Sequence, residues 1–389
     1  DILHVAKEII VCYDIAKVGK IGKYAKRRRF LMNGLFGREL ISPILAGSSP
    51  LSMDARSMEE LYRQGAGAVV TKNICLPARA NPYHYMRVCS GDTLINCERY
   101  LDYPGARWLE KEIPKAAAAG VPVIVNVGTN REMCRGVGER LGDSGAFAVE
   151  CVSYNADWLV EAVDEIRRHC SLPILAKLSP NYPDIVAVAR RCVEAGADGF
   201  TVGDSKGPIL RIDLKTGYPL SGGAGGVGWM SGAGLLPFAL RNVMEVRRAF
   251  PQLPIIGMGG VTTGEDAVEM VMAGADLVGV CSALVTHGAE VLGQMHREVM
   301  AFLENRGVAE LKQLRGVVLH SLSEQDSQRD LDLVIDAALC ERCGRCSTVC
   351  VYDALEPDEG GVPQFYKERC SKCGMCLGYC SALREKEGQ

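Results

Sequence analysis

The sequence predicts an α/β protein, a (β/α)8 TIM barrel followed by a small α+β domain, and three observations lead to this prediction. Eight short apolar segments recur along the chain, near 43–48, 67–72, 122–127, 146–152, 172–178, 198–203, 254–258 and 277–281. Helical patterns such as 157–168 and 184–195 separate most of these segments. Eight cysteines then crowd into two runs near the C-terminus, beyond the last apolar segment.

The barrel prediction depends on how helices and strands follow each other. Small residues stand where a helix gives way to a strand, as in 195–198 and 273–276, which both read Ala-Gly-Ala-Asp. Elsewhere a proline directly precedes the strand, as at Pro122, Pro173 and Pro254. Fully apolar strands that alternate with helices indicate a parallel sheet buried on both faces. Eight such units in about 250 residues favour a closed barrel, with an open doubly wound sheet as the alternative.

The composition is that of an ordinary globular protein. The chain has 389 residues, a formal net charge of −3, 48% hydrophobic residues and 23% charged residues. Nothing in these values indicates nucleic-acid or membrane binding, and no apolar run reaches the ~18 residues that span a bilayer. The segment 9–12 is too short for a signal peptide. Because the numbering starts at Asp1 without a methionine, a lost targeting segment stays open, and we expect a cytoplasmic protein.

The two cysteine runs have the spacing of iron–sulfur ligands. Each run reads C-x2-C-x2-C-x3-C, and together they comprise Cys340, Cys343, Cys346, Cys350, Cys370, Cys373, Cys376 and Cys380. In proteins with two [4Fe–4S] clusters, the fourth cysteine of each run ligates the other cluster. The predicted sets are therefore Cys340, Cys343, Cys346 with Cys380, and Cys370, Cys373, Cys376 with Cys350. A pair of zinc knuckles is the alternative. The proline usual after the fourth cysteine is replaced by Val351 and Ser381.

The remaining nine of the 17 cysteines are scattered. Disulfide stapling is the weaker interpretation in a chain of this length. We expect most of these thiols to be buried and inert in a reducing cytoplasm. They are Cys12, Cys75, Cys89, Cys97, Cys134, Cys151, Cys170, Cys192 and Cys281.

Residues at the carboxyl ends of the predicted strands indicate where the chemistry lies, because barrel active sites form at that face. The first strand ends in Gly47-Ser48, the second in Lys72-Asn73 and the fifth in Lys177. Glycine-rich ends follow the seventh strand at 257–260, and Cys281-Ser282 follows the eighth. Such ends cradle a phosphate through backbone N–H groups. The two lysines suit an anionic or electron-rich ligand, although either alone is more often a solvated surface residue.

One glycine motif, 223–228, fits the pattern G-x-G-x-x-G of dinucleotide-binding proteins. That fingerprint requires a preceding strand and a following helix, whereas residues 218–222 have turn chemistry. We therefore predict a flexible loop over the barrel mouth and no built-in NAD site.

With these motifs the chain, over roughly 35–385, resembles the dihydroorotate dehydrogenase-like FMN barrels. Among these it is most similar to the FMN and iron–sulfur subunit of dihydropyrimidine dehydrogenases, which ends in a double-cluster ferredoxin domain. The residues that carry the resemblance are Thr71-Lys72-Asn73, Leu94-Ile95-Asn96, Lys177-Leu178-Ser179-Pro180-Asn181, Ser231-Gly232-Ala233-Gly234 with Pro237, 256–262 and Val280-Cys281-Ser282-Ala283.

The resemblance implies FMN across the barrel mouth and assigns residues to it. Gly47 and Ser48 would contact the isoalloxazine ring, and Asn96 would bind substrate. Lys72 and Lys177 would stand near the electron-accepting edge of the flavin, where positive charge stabilises its reduced form. The other implied cofactor contacts are Asn73, Asp204, Gly232, Gly259, Gly260, Cys281 and Ser282.

The chain departs from the family at the proton donor. The family carries Asn-x-x-Cys-Pro after the fourth strand, and its cysteine is the acid and base of ring reduction. Here Cys151 falls at the asparagine and Tyr154 at the cysteine, and Asp204 replaces an asparagine after the sixth strand. The mobile loop that follows in the family is deleted, because a helical pattern begins by Asp157. Tyr154 could supply the proton, as could Cys151 if the register shifts. The alternative is that both side chains only pack.

The expected domains are a basic helical arm over 1–35, an FMN barrel over 36–325 and a double [4Fe–4S] ferredoxin-like domain over 326–389. In the arm, Lys17, Lys20, Lys23, Lys26 and 27–29 form a basic stretch. This stretch is either a solvated helix face or a docking surface for an acidic partner subunit or for the chain's own ferredoxin domain.

The sequence thus predicts an oxidoreductase that passes electrons through [4Fe–4S] clusters to FMN and then, as hydride, to a C=C bond of a small pyrimidine-like, enone or ring substrate. The rival hypothesis is an electron-relay subunit without substrate chemistry, and a weaker third is a barrel that has lost FMN. The expected donor is an NAD(P)H-oxidising flavoprotein subunit or a ferredoxin. A homodimer or hetero-oligomer is expected, without nucleic acid or membrane.

Overall fold

The computed structural model describes residues 34–74, 81, 84–89, 91–98, 103–128, 131–322 and 330–386. The chain divides into two compact units, 1–321 and 322–389. The predicted basic arm lies outside the described residues, except for its last two. Those two form the strand Gly34–Leu35, which pairs antiparallel with Arg38–Glu39.

The first unit contains a closed barrel of eight parallel strands, each paired with its neighbours in chain order. In order, the strands are Ile44–Ala46, Val69–Val70, Val123–Val127, Ala148–Val152, Ile174–Leu178, Gly199–Val202, Ile255–Met258 and Leu277–Val280. Each strand lies inside one of the eight apolar segments predicted from the sequence. The prediction of a (β/α)8 barrel is confirmed, and the open sheet is excluded because the last strand pairs with the first.

Amphipathic helices surround the barrel and bury their apolar faces against the strands. The α-helices of this unit are Ala55–Arg63, Gly105–Arg107, Ile113–Ala118, Arg131–Leu141, Ala156–His169, Ile185–Glu194, Leu236–Ala249, Gly264–Ala273, Ser282–His287 and Val291–Arg306, with a π-helical turn at Trp108–Glu112. Side-chain caps fix where several begin, as where Asn155 Oδ1 accepts from Trp158 N–H at 3.1 Å. Within the described residues, no helix is both long and apolar enough to cross a membrane.

The barrel interior has two zones. Aliphatic side chains such as Leu45, Val70 and Leu175 fill one zone, and Leu35 of the first hairpin packs against them. Buried polar side chains fill the other zone, and several of them reach a cavity at the carboxyl ends of the strands. The strand geometry therefore concentrates polar chemistry at one face of an otherwise apolar barrel.

An antiparallel sheet of four strands lies beside that cavity. Its order is Lys206–Ile209, Gly228–Gly232, Thr93–Asn96 and Met86–Val88. The glycine motif 223–228 leads into one of these strands through the short 3-10 turn Ala224–Gly226. A strand and not a helix follows the motif, whereas a dinucleotide fingerprint opens a helix.

The second unit is small and is built from two antiparallel strand pairs. Leu333–Ile335 pairs with Leu383–Glu385, and Leu355–Pro357 pairs with Pro363–Phe365. A short helix, Arg345–Val349, follows the first cysteines of one run, and a 3-10 turn, Met375–Gly378, occupies the matching position in the other. Its buried apolar cluster consists of Cys346, Leu355, Cys376 and Leu383. Two of these four residues are predicted cluster ligands.

Candidate active site

A cavity of about 710 Å³ opens at the carboxyl ends of the barrel strands. It brings together most of the residues that the sequence predicted for the site. These are Ser48, Lys72, Asn73, Asn96, Tyr154, Lys177, Asp204, Gly232, Gly259, Gly260, Cys281 and Ser282. Gly47 and Cys151 are predicted site residues that do not line it.

Two of the lining glycines have conformations that other residues rarely adopt. Gly232 has φ of 100°, and a Cβ there would lie 1.7 Å from the carbonyl oxygen of Asp92. Gly260 has φ of 83°, and a Cβ there would lie 2.3 Å from the backbone nitrogen of Leu236. Side chains are thus excluded, and the backbone itself forms this part of the wall.

The cavity fits FMN in size and in chemistry. Its volume is within the range of about 300–1,000 Å³ that is typical of cofactor pockets. Backbone at Gly259 and Gly260 and the hydroxyl of Ser282 line one part, as a phosphate requires, and Met258 and Val261 add apolar surface. Gly47 lies just behind this wall, where a Cβ would stand 2.8 Å from Cε of Met258.

Lys177 is the buried charge at the centre of the site. It lies on the fifth barrel strand and is 6% exposed. Its Nζ is 3.7 Å from Oε1 of Glu150 and 4.0 Å from Oδ2 of Asp204. Burial alone would lower the pKa of Lys177, but the two carboxylates outweigh this effect and raise the pKa above its ordinary value. The ammonium group therefore stays charged.

Glu150, on the fourth barrel strand, is a site residue that sequence reasoning missed. It is 1% exposed. Asn126 Nδ2 donates to its Oε1 at 2.5 Å, and the Thr201 hydroxyl donates to its Oε2 at 2.6 Å. The signal that could have found Glu150 is a glutamate inside a run of apolar residues. A carboxylate buried in this way needs hydrogen-bond partners.

The second lysine of the site is also paired. Lys72 Nζ donates to Oε2 of Glu98, and both side chains are nearly buried. The adjacent Asn73 donates from Nδ2 to Oδ1 of Asn126 at 2.8 Å. Asn73, Asn126 and Glu150 thus form a hydrogen-bonded chain along the cavity wall.

Tyr154 stands at the rim of the cavity with its hydroxyl on Asp204. The hydroxyl donates to Asp204 Oδ1 at 3.1 Å, and the ring stacks on Trp229 with centroids 5.6 Å apart. The ring is 46% exposed. Loss of solvent around the hydroxyl and the negative charge of Asp204 raise the pKa of Tyr154 well above its ordinary value. The phenol stays protonated, as a proton donor must.

Cys151 points away from the cavity. It is 0% exposed and packs in the layer between barrel and helices, near Cys134 and Cys192. Burial raises the pKa of its thiol well above the ordinary value. Successive strand residues face opposite sides, so Glu150 and Val152 face inward, and Val152 lines the cavity. The match of Cys151 with the asparagine of the family stretch stays a prediction.

A further residue, Ser153, belongs to the site because it lines the cavity. Its hydroxyl accepts from Asn155 N–H at 3.1 Å, and its backbone carbonyl accepts from the hydroxyl of Tyr182. Ser153 was not among the predicted site residues.

The predicted substrate ligand Asn96 lies on a strand of the mouth sheet. Its Nδ2 donates to the hydroxyl of Ser205 at 3.3 Å, and the Ser205 carbonyl accepts from Asn181 Nδ2 at 2.9 Å. Two segments that are distant in the chain thus meet at the cavity, beside Asp204. Cys281 takes another position in the wall, where its Sγ donates to the carbonyl of Ser48 at 3.3 Å.

In the second unit, one predicted cluster set surrounds a small cavity of about 20 Å³. Cys350, Cys370, Cys373 and Cys376 all line it, so the fourth cysteine of one run lies with the first three of the other. Backbone N–H groups of Lys372 and Ala354 donate to Sγ of Cys370 and Cys350, both at 3.3 Å. These contacts fit thiolate ligands of a cluster, whose sulfurs accept N–H hydrogen bonds.

The other predicted set comprises Cys340, Cys343, Cys346 and Cys380. Arg342 N–H donates to Sγ of Cys340 at 3.4 Å, which repeats the arrangement at Cys370. Within the described residues, no three His, Cys, Asp or Glu side chains are arranged to hold a single metal ion. The choice between zinc and iron–sulfur ligation at these cysteines stays a prediction.

Comparison with known proteins identifies the family. The family model described as dihydroorotate dehydrogenase matches residues 146–303. Three relatives are each named "Dihydroorotate dehydrogenase B (NAD(+)), catalytic subunit". The protein of Methanothermobacter thermautotrophicus is 33% identical over 296 residues, which cover 72% of this chain and 95% of the relative. That of Thermoplasma acidophilum is 31% identical over 303 residues, 74% and 99% of the two chains. That of Desulforudis audaxviator is 32% identical over 299 residues, 72% and 94%.

The matches cover nearly the whole of these relatives, and the barrel with its glycine-lined cavity is the structural counterpart. The predictions of an FMN-dependent enzyme and of a dihydroorotate dehydrogenase-like barrel are confirmed at this level. The chain belongs to the dihydroorotate dehydrogenase family and is an FMN-dependent oxidoreductase that acts on a CH–CH bond.

Proposed function

We propose that the chain takes electrons one at a time through two [4Fe–4S] clusters and uses FMN to reduce a C=C bond of a small unsaturated substrate. The observation that carries this proposal is the meeting of Lys177, Asp204 and Tyr154 in the glycine-lined cavity. A charged ammonium, a carboxylate and a protonated phenol at one site suit hydride transfer coupled to proton transfer.

The residues proposed to hold FMN are those of the cavity wall. Gly259, Gly260, Ser282 and Gly232 would take the phosphate and ribityl chain, and Ser48 would face the ring. The flavin, when bound, supplies the conversion of single electrons into a hydride. Lys72 and Lys177 contribute positive charge, and Asn73, Asn96, Asp204 and Cys281 complete the proposed contacts.

Tyr154 is proposed as the proton donor. Reduction of a C=C bond consumes two electrons and two protons: hydride brings both electrons and one proton, and the phenol gives the second proton to the neighbouring carbon. Asp204 Oδ1, which accepts from the hydroxyl, lies beside the phenol oxygen that must be reprotonated after each turnover. The Ser153 hydroxyl is the second candidate because it also lines the cavity. Cys151 is left out because it is fully buried away from the cavity.

The second unit is proposed as a ferredoxin-like domain with two [4Fe–4S] clusters. Support comes from the spacing of both cysteine runs and from the gathering of Cys350 with Cys370, Cys373 and Cys376 around one cavity. With this unit the chain would correspond most closely to the FMN and iron–sulfur subunit of dihydropyrimidine dehydrogenases. An NAD(P)H-oxidising flavoprotein subunit or a ferredoxin would supply electrons, because the glycine motif 223–228 lacks the helix of a dinucleotide site.

Substrate-dependent reoxidation tests the proposal. The purified enzyme is reduced anaerobically with light, and orotate, uracil, thymine, cyclic enones and aromatic acids are added one at a time. We expect the flavin absorbance to return with one uncharged ring substrate far faster than without it. If the enzyme holds flavin and clusters but no compound reoxidises it, the rival function as an electron-relay subunit is favoured.

Variants of the same enzyme distinguish the two proton donors. We expect Tyr154→Phe to slow reoxidation by about 10²–10⁴-fold with FMN retained, and Ser153→Ala to have a smaller effect. Tyr62→Phe, on the helix Ala55–Arg63 outside the cavity, is the matched control and leaves the rate unchanged. If Ser153→Ala slows reoxidation more than Tyr154→Phe does, Ser153 is the proton donor.

A further inference from the structure

The buried carboxylate of Glu150 has no role in the proton transfer proposed above. It stands behind the cavity wall and is 1% exposed. Burying a carboxylate in a barrel is costly, and replacing it by an apolar side chain would be the simpler way to fill this space. Its partners are themselves buried side chains, Asn126 on the adjacent third barrel strand and Thr201 on the sixth. The group is therefore held in place by a network built around it.

The hydrogen bonds place a side-chain partner on each oxygen of the Glu150 carboxyl group. The amide nitrogen of Asn126 can only donate, and its orientation is fixed because Asn73 donates to the amide oxygen. Thr201 donates to the other carboxylate oxygen at 2.6 Å. Both oxygens thus act as acceptors, and the Lys177 ammonium group adds a positive charge 3.7 Å away.

Charges around the cavity are unequal. Lys177 faces two carboxylates, Glu150 and Asp204. Lys72 is paired with a third, Glu98. Among the described residues that line the cavity or contact its lysines, two positive charges therefore meet three negative ones. The two lysines do not present free positive charge to a ligand.

We propose that Glu150, together with Asp204, lowers the reduction potential of FMN in this cavity, so that the site favours reduction of its substrate over oxidation. This inference rests on the proposed function. Two-electron reduction with uptake of one proton adds a negative charge to the flavin ring, and nearby carboxylates in a medium of low dielectric oppose it. A lysine without carboxylate partners would have the opposite effect.

The flavin potential is linked to the favoured direction of the reaction. Removing hydride from a CH–CH bond is helped by a flavin that is readily reduced, which uncompensated positive charge favours. Giving hydride to a C=C bond is helped by a flavin that is a strong reductant. Iron–sulfur clusters of low potential are suitable donors to such a flavin.

The test is the FMN midpoint potential of the full-length protein, measured anaerobically by spectroscopic redox titration. Glu150→Gln keeps the size and the hydrogen bonds but removes the charge, and Asp204→Asn does the same at the rim. We expect each variant to raise the potential so that, at a fixed solution potential, the ratio of reduced to oxidised FMN increases at least tenfold, which is about 30 mV for a two-electron couple. The double variant should exceed either single one.

Glu165→Gln is the matched control, because Glu165 is equally buried at 1% exposure but pairs with Arg131 and Arg135 on the outer helices. Its potential should equal that of the wild type. A second readout is the ratio of the dissociation constants of oxidised and reduced FMN, which must rise by the same factor as the potential shift predicts.

The outcomes separate this inference from the proposed function. If the variants bind FMN with the wild-type potential, or a lower one, the role of Glu150 and Asp204 is overturned while FMN catalysis stands. If the wild-type protein binds no FMN, the proposed function fails and this inference fails with it. A potential that rises in Glu150→Gln and Asp204→Asn but not in Glu165→Gln supports the inference.

Discussion

Cysteines have opposite environments in the two units of the molecule. In the barrel unit, Cys134, Cys151 and Cys192 are 0% exposed and lie within an apolar core. In the second unit, Cys343 and Cys373 are exposed, and the described apolar core is small, with four buried residues at its centre. The 15 described cysteines are all free of disulfides.

This difference indicates what stabilises each unit. The barrel buries aliphatic side chains on both faces of its strands, so its cysteines only fill space as small apolar groups. A unit of fewer than 70 residues with so small a core needs another source of stability. The proposed clusters would provide it, since metal binding free energy becomes folding free energy.

We expect the largest difference between the two units when iron is removed. After oxidation and chelation, we expect amide protection to be lost across 330–386, because the small apolar core cannot hold these strands alone, while the barrel strands stay protected. Hydrogen exchange read by mass spectrometry measures both units in one sample. Retained protection of the second unit without iron would show that its apolar cluster suffices.

Single cysteine replacements should then sharpen the ligand assignment. Cys376→Ser is expected to lower the iron content by half, because Cys376 lines a cavity with Cys350, Cys370 and Cys373. The double variant with Cys350→Ser should lose no more iron than either single variant, since both residues belong to one set. A double variant of Cys376 and Cys380 should lose both clusters.

Iron analysis and electron paramagnetic resonance after chemical reduction measure these losses. Cys89→Ser in the barrel unit is the control and should keep the full iron content. If Cys350→Ser and Cys376→Ser have additive effects, the fourth cysteine serves its own run and the assignment is wrong.

The smallest effect is expected in the barrel, for Cys151→Ala. Removing a buried thiol leaves a small cavity and should lower the free energy of unfolding by about 1–2 kcal/mol. Denaturant unfolding followed by far-ultraviolet circular dichroism measures this, with iron and FMN content unchanged. A loss of substrate-dependent reoxidation in a stable, FMN-loaded Cys151→Ala enzyme would contradict our exclusion of Cys151 as the acid.

Much of the fold and of the site could be predicted from the sequence, because apolar strands and the residues at their ends are local features. Each barrel strand lies inside its predicted apolar segment, and glycines, lysines and Tyr154 at the strand ends do reach one cavity. The hydrogen-bond and ion-pair partners of these residues could not be predicted from the sequence. Glu98 pairs with Lys72 from 26 positions away, and Asp204 contacts Tyr154 from 50 positions away. No local pattern records such contacts.

The sequence by itself determined the barrel, the cysteine spacing and the set of residues at the cavity. Only the tertiary structure decided which way the fourth barrel strand faces. A strand buried on both sides carries no alternation of polar and apolar residues, so its inward and outward positions cannot be told apart from the sequence. Closure of the barrel fixes that choice by pairing Glu150 with Lys177 inside and packing Cys151 against the helices outside. The proposed proton donors are therefore Tyr154 and Ser153, and not Cys151.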